Sequence, residues 1–303
     1  MGGIIRDQNG DSAANAGKST FSSSAAAVVT VPVYRAELSE SEAASFKQTA
    51  LVLGGKHPLV LFAPEGIDLT RYREIYPDFT VEYFPGDFFR SVSDYSRLLL
   101  SKEFYLRFAE FEWLLICQLD AWVFRDELAY WCKKGYDYIG APFVQRYGRS
   151  EEIIIGNGGF SLRRIEAMLR VLDAPEKRMF PSSLLLMFFS NYLFSGKYLA
   201  SLRPLGRLCG LYPNTRGRYL EQIRREKFNS EDMVYYFLSR EFTDDGLFMP
   251  GIDDAARFSL DAQPGRFFRE LPFGCHAWLK NDADFWSGYI TSDIFRSDRQ
   301  KTL

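Results

Sequence analysis

Histidine is nearly missing from this chain, with two in 303 residues, and the four cysteines show no CxxC spacing. A structural zinc site is thereby excluded, because its ligands come in closely spaced pairs. Cys117, Cys132, Cys209 and Cys275 form no disulfide framework either, which reads as a reduced, cytoplasmic protein. An excess of one charge is also missing. The 37 basic and 39 acidic residues leave a net charge of −2, so nothing global suits a nucleic-acid polyanion. The longest apolar run, Leu184–Phe189 continuing through Tyr192–Phe194, is about half of the roughly 20 residues that a spanning helix requires. No secretory signal is convincing at the start; residues 1–26 read as a disordered or linker-like tail and 296–303 as a C-terminal tail.

What is present in quantity is core material: 47% hydrophobic and 16% aromatic residues, ample for a large α/β domain. Val28–Val33 reads as an opening strand, rich in β-branched side chains. Ser39 and Glu42 make a capping-box pair for the next helix, and Gly54-Gly55 stops it. Leu59–Ala63 and Thr80–Phe84 are further strands. Ser91–Phe108 reads as one helix leading into a strand over Glu112–Asp120. Repeated alternation of β and α predicts a parallel sheet with crossover helices. The expected domain spans 27–295, with a nucleotide-binding half over 27–125 and an acceptor half over 126–295. In the second half a helix at Asp126–Lys134 stops at Gly135, and Tyr136–Gly140 is a short strand. Ile153–Leu162 reads as a strand broken by glycines, followed by an amphipathic helix to Leu172. A helix resumes at Ser230–Arg240, and the segment from Pro250 onward reads as turn-rich.

Four places carry candidate chemistry. In EWLLICQLDAWVF, Asp120 interrupts an apolar run that does not alternate, the mark of a strand buried on both faces. A carboxylate there is expensive unless a cation or several donors satisfy it, and ligands gather at the carboxyl ends of such strands. Capping of the following turn is the plainer alternative. In GNGGFS, Gly158 and Gly159 permit close approach of a sugar or phosphate to the backbone, or simply a tight turn. Asn229-Ser230-Glu231-Asp232 places two acids at a helix start, where the macrodipole alone favours them. Successive helical residues sit about 100° apart, so one acid can face a cleft while the other supports the fold. His276, in PFGCHAW, has an imidazole suited, with a carboxylate, to Mn²⁺.

The order of these elements resembles the glycosyltransferases of the GT-A fold. The blocks LLLSKEFYLRF, QLDAWVFRDELAYWCKKGYDYIGAPF, GNGGFSLR and PFGCHAW, within residues 28–290, look like a bacterial family catalogued only as a domain of unknown function. The resemblance implies a single GT-A-like domain with a Rossmann-like, mostly parallel sheet flanked by helices. It implies a metal-assisted, inverting transfer of a sugar from a nucleotide-diphosphate donor to a hydroxyl of a glycan or lipid-linked acceptor, as in polysaccharide biosynthesis. Asp120 and His276 would hold Mg²⁺ or Mn²⁺. Asp232, with Glu231 beside it, would supply the general base. Tyr34, Arg35, Arg97, Lys102 and Gln118 would meet the nucleotide, Gly158 and Gly159 would line the sugar, and Trp278 would stack on it. The aspartate motif of that fold usually starts with Asp, where this chain has Gln118. That difference favours a second reading, a non-catalytic sugar-nucleotide or glycan-binding module. Residues 179–227, apolar then arginine-rich, read as a buried helix followed by a solvated basic loop, or else as a peripheral contact at the inner face of a membrane.

Overall fold

The computed structural model describes residues 26–147, 150–173, 230–241 and 246–291. All but the last residue of the expected tail over 1–26, the expected membrane contact over 179–227 and the tail over 296–303 lie outside these. Strands β1 (Ala27–Pro32), β2 (Leu59–Pro64), β3 (Thr80–Phe84) and β4 (Trp113–Cys117) form in the first half, with helices α1 (Glu40–Leu53), α2 (Thr70–Ile75), α3 (Val92–Leu99) and α4 (Lys102–Leu106) between them. Next come β5 (Trp122–Val123), α5 (Leu128–Lys134), β6 (Tyr138–Gly140), β7 (Pro142–Tyr147), β8 (Ser150–Ile155), β9 (Phe160–Arg164) and α6 (Ile165–Leu172). The last elements are α7 (Glu231–Glu241), α8 (Ile252–Phe258), β10 (Ser259–Leu260), α9 (Pro264–Phe267), β11 (Gly274–Cys275) and α10 (Trp278–Trp286).

The main sheet has six strands in the order β3-β2-β1-β4-β9-β6. Strands β3, β2, β1 and β4 run parallel, and β9 is antiparallel to both β4 and β6. This is the expected α/β class, a mostly parallel sheet flanked by helices. The alternating side chains of its strands feed two separate cores. Val28, Val60, Phe62, Leu114 and Ile116 pack on one face with Leu98 of α3, Phe104 of α4 and Met168 of α6. Val29, Val31, Leu61, Leu115 and Cys117 pack on the other with Phe46 of α1, Tyr72 of α2 and Trp131 of α5. Burial on both faces is why β1 and β4 show no polar alternation.

The chain leaves β1 through α1 toward β2, while β4 lies on the opposite side of β1. A crevice therefore opens beyond the carboxyl ends of β1 and β4, at the topological switch point. The capping box of α1 is formed as expected, Ser39 accepting from the Glu42 amide and Glu42 accepting from the Ser39 amide. Gly135 ends α5 at φ 75°, in the left-handed region that only glycine enters without cost.

Three expectations need correction. The helix over 91–108 is two helices, because Ser101 caps the Phe104 amide and restarts the chain in a new direction. The stretch 153–162 is two strands, because β8 turns back on β7 in a separate hairpin while β9 enters the main sheet. The segment after Pro250 carries three helices and two short strands. Among the described residues, no helix is long and apolar enough to cross a membrane.

Candidate functional site

A second sheet of three strands, β10-β11-β5, assembles the site. Leu260 pairs with Cys275, and Cys275 pairs with Trp122. That register places the residues just beyond β10 and β11, Asp261 and His276, beside the turn that holds Asp120. The His276 amide donates to the Leu260 carbonyl at 2.9 Å, fixing the backbone on which the imidazole stands. Ala277 follows at φ 49°, a strained conformation for a residue with a Cβ and one that clusters at functional sites.

His276 Nε2 lies 3.1 Å from Asp120 Oδ1 and 3.1 Å from Gln118 Oε1. Its Nδ1 lies 3.4 Å from Asp261 Oδ1. The expected convergence of Asp120 and His276 is thus a feature of the fold, and Gln118 joins them. Asp120 is half exposed. Burial alone would push its carboxyl up, but the adjacent imidazole outweighs this and holds it below the usual range. Burial would likewise lower the imidazole of His276, but the flanking Asp120 and Asp261 push it up to about 10. In the absence of a cation, an imidazolium stands between two carboxylates.

The glycine pair explains how these groups approach. A Cβ on Gly159 would overlap the His276 ring, and one on Gly158 would overlap the Glu231 carboxylate. The close contact that the glycines permit is therefore made by the protein's own side chains, where a sugar was expected. On the far side of the pair, Asp232 Oδ2 accepts from the Gly158 amide at 3.3 Å. Its Oδ1 accepts from the Met233 amide at 2.7 Å. Burial, and then the charge of Glu231, push the Asp232 carboxyl up to about 6.

Glu231 is the supporting member of the acidic pair. It is 4% exposed, 3.0 Å from the buried guanidinium of Arg163 and within 3.0 Å of the Ser96 hydroxyl of α3. Arg163 also donates to the Tyr105 hydroxyl at 3.1 Å and lies over the Tyr138 ring. A catalytic role for Glu231 does not survive this packing, because both of its oxygens are spoken for inside the core.

The other expected residues scatter. Tyr34 stands 40% exposed at the end of β1, edge-on to Tyr95 and Phe89, and keeps a place at the crevice. Arg35 is paired with Glu42 at 2.8 Å. Arg97 is 3.3 Å from Asp94, and Lys102 is 2.7 Å from Asp173; both line a surface cleft with Phe88 and Leu172. Trp278 is 1% exposed, donates to the Ser45 hydroxyl at 2.9 Å and packs edge-on against Trp122. It has no free face for a sugar, because the turn at Ala277 swings it into the core. Sequence reasoning missed Asp261. A signal existed: Leu119-Asp120-Ala121 after β4 recurs as Leu260-Asp261-Ala262 at the end of β10.

Residues 78–276 match the family model described as Protein of unknown function (DUF5672). The chain belongs to this family. A search of curated proteins finds no match. Among solved structures, the chain is similar to core-mannan synthase A (CmsA/Ktr4) from Aspergillus fumigatus in its Mn/GDP form, at 11% identity and TM-score 0.37 over 72% of this chain and 73% of that one. It is similar to the mannosyltransferase Ktr4p from S. cerevisiae in complex with GDP, at 10% identity and TM-score 0.35 over 68% and 69%. It is also similar to the PaToxG glycosyltransferase, at 12% identity and TM-score 0.28 over 67% and 77%. Likenesses this distant assign no residue and no substrate to the DUF5672 chain.

Proposed function

We propose that this DUF5672 protein moves a sugar from a nucleotide-diphosphate donor to a hydroxyl of a glycan or glycolipid acceptor, with inversion. One observation carries the reading. At the switch point of a parallel sheet, Asp120, Gln118 and His276 meet at 3.1 Å, with a carboxylate of raised basicity on the other side of a glycine pair. A carboxylate, an amide oxygen and an imidazole form a donor set that fits Mg²⁺ or Mn²⁺. Asp120 and His276 would hold the cation, which when bound would offset charge on the departing diphosphate.

The remaining work falls to Asp232. A carboxyl pushed up to about 6 stays mostly ionised at neutral pH yet is more basic than an ordinary aspartate. It takes the acceptor's hydroxyl proton as that oxygen bonds to the sugar's anomeric carbon and the bond to the diphosphate breaks. Attack from the face opposite the leaving group inverts the centre. Tyr34, exposed at the end of β1, flanks the nucleoside.

A thermal-shift screen of nucleoside diphosphates with and without Mn²⁺ tests donor binding, since a ligand bound only by the folded form raises its stability. Release of nucleotide from the matching nucleotide-sugar then separates an enzyme from a binding module, the reading that Gln118 favours. Asp232→Asn should lower transfer by about 10²–10⁴-fold, the usual worth of a positioned base, with donor affinity nearly unchanged. Equal loss of donor binding rules out the base role.

A further inference from the structure

Asp261 lies on no sequence motif assigned above, yet it is 8% exposed and surrounded by donors. Asn157 Nδ2 donates to its Oδ2 at 2.9 Å, and Asn281 Nδ2 donates to its Oδ1 at 2.6 Å. The orientation of Asn157 is fixed in turn, because its Oδ1 accepts from the Gly159 amide at 3.0 Å. The contacts close a ring: Gly159 to Asn157 and Asn157 to Asp261 by hydrogen bonds, Asp261 Oδ1 to within 3.4 Å of a buried His276 Nδ1 that makes no hydrogen bond among the described residues, and His276 back against the bare Cα of Gly159. A buried carboxylate clamped by two amides cannot follow the imidazole if it turns, so it dictates where the imidazole points.

From this ring, and resting on the cation reading above, we infer that Asp261 is a positioning residue. It keeps a proton on His276 Nδ1 and turns Nε2 toward Asp120 and Gln118, where the divalent cation is held. A ligating imidazole whose second nitrogen donates to a carboxylate is locked in tautomer and orientation and is a stronger ligand, and losing that partner typically costs about 10–100-fold in metal affinity. The glycine motif thereby acquires a second purpose: Asn157 anchors the carboxylate that aims the histidine for which Gly159 makes room.

The test is Mn²⁺ titration followed by electron paramagnetic resonance, on wild-type protein and on Asp261→Asn, Asp120→Asn and Asp126→Asn. Asp126 serves as the control, because it lies 3.0 Å from the other imidazole, His57. Asp261→Asn should weaken Mn²⁺ binding by about 10–100-fold, Asp120→Asn should weaken it too, and Asp126→Asn should leave it unchanged. Wild-type affinity in Asp261→Asn, with Asp120→Asn impaired, overturns the positioning role and leaves the cation reading standing. Indifference to Asp120→Asn, or no binding by wild type, overturns the cation reading. The orientation is then judged on metal-free protein. With two histidines in the chain, ¹⁵N-histidine labelling resolves the His276 Nδ1 proton, which must shift in Asp261→Asn; an unchanged resonance overturns the proposal. Should Asp261→Asn fail to fold, Asn281→Ala loosens the same carboxylate from the exposed side. It must weaken Mn²⁺ binding, and wild-type affinity there is equally fatal.

Discussion

The two sides of the Gly158-Gly159 pair are built on opposite principles. On one side, Asp120 is half exposed, and His276 stands between it and Asp261 with its Nε2 turned toward the open crevice. On the other, Arg163, Glu231, Tyr105 and Ser96 close a network with no exposed member, next to the half-buried Asp232. Under the function proposed above, the open side would exchange one cation for another. The closed side is arranged to hold a charge still, so that a neighbouring carboxylate feels it. Asp232 is lifted by its own burial and then by the fixed charge of Glu231, whereas the imidazole of His276 outweighs burial at Asp120 and keeps it easy to ionise.

The sharpest way to break the contrast is to remove one partner of the closed side. Arg163→Met leaves Glu231 as an uncompensated buried charge and should cost about 3–5 kcal/mol in urea unfolding. The double variant Arg163→Met with Glu231→Leu should recover most of that loss, because a buried pair is often replaceable by apolar residues of similar volume. A single variant as stable as wild type would mean that water reaches Glu231, and the closed side is not closed.

Gly159→Ala attacks the boundary itself. The new Cβ overlaps an imidazole held at Nε2 by Asp120 and Gln118, so either ring or strand must shift, at about 1–3 kcal/mol of stability. Displacing the ring should also lower Mn²⁺ affinity by about 10–100-fold, read in the same titration as above. Unchanged affinity would mean that the ring has room to spare.

How much of this was legible in the sequence differs between the two sides in the same way. The parallel half, the α1 capping box and the switch-point aspartate follow from local signals: β-branched runs, Ser39 with Glu42, an apolar stretch ending in Asp120. Asp120 and His276 could be paired only through resemblance, since 156 positions separate them and β10 and β11, which join them, are two residues each. Strands that short leave no periodicity to read. The division of labour between Glu231 and Asp232 was legible as a helical angle, but which acid turns inward depends on Arg163, a charged residue inside a buried strand that no local rule predicts. Trp278 misled for a related reason: its neighbours in sequence resemble a sugar platform, and a positive φ at Ala277 sends it elsewhere.

Asp232 offers a prediction of opposite sign to the first. Its folded value, about 6, lies above that of an unfolded aspartate, so its stability contribution is fully present below about pH 4 and is lost as pH rises through 6. Asp232→Asn should therefore stabilise the fold at pH 7, by on the order of 1–2 kcal/mol, and the gain over wild type should vanish at pH 4. A variant that is destabilised at pH 7 and equally so at pH 4 would show that the carboxylate is a structural cap with no strain to release.

The smallest expected effect sharpens the line between core and site. Trp278→Phe keeps an aromatic ring in the pocket against Trp122 but removes the donor to Ser45, leaving that buried hydroxyl without its partner. A lost buried hydrogen bond of this kind costs about 1 kcal/mol, with some packing loss besides. Because the indole has no open face, nucleoside-diphosphate and Mn²⁺ affinities should stay at wild-type values in the same variant. If sugar-nucleotide affinity instead falls while stability holds, the ring must leave the core when the donor binds, and the open side of the site extends one residue further than the resting fold shows.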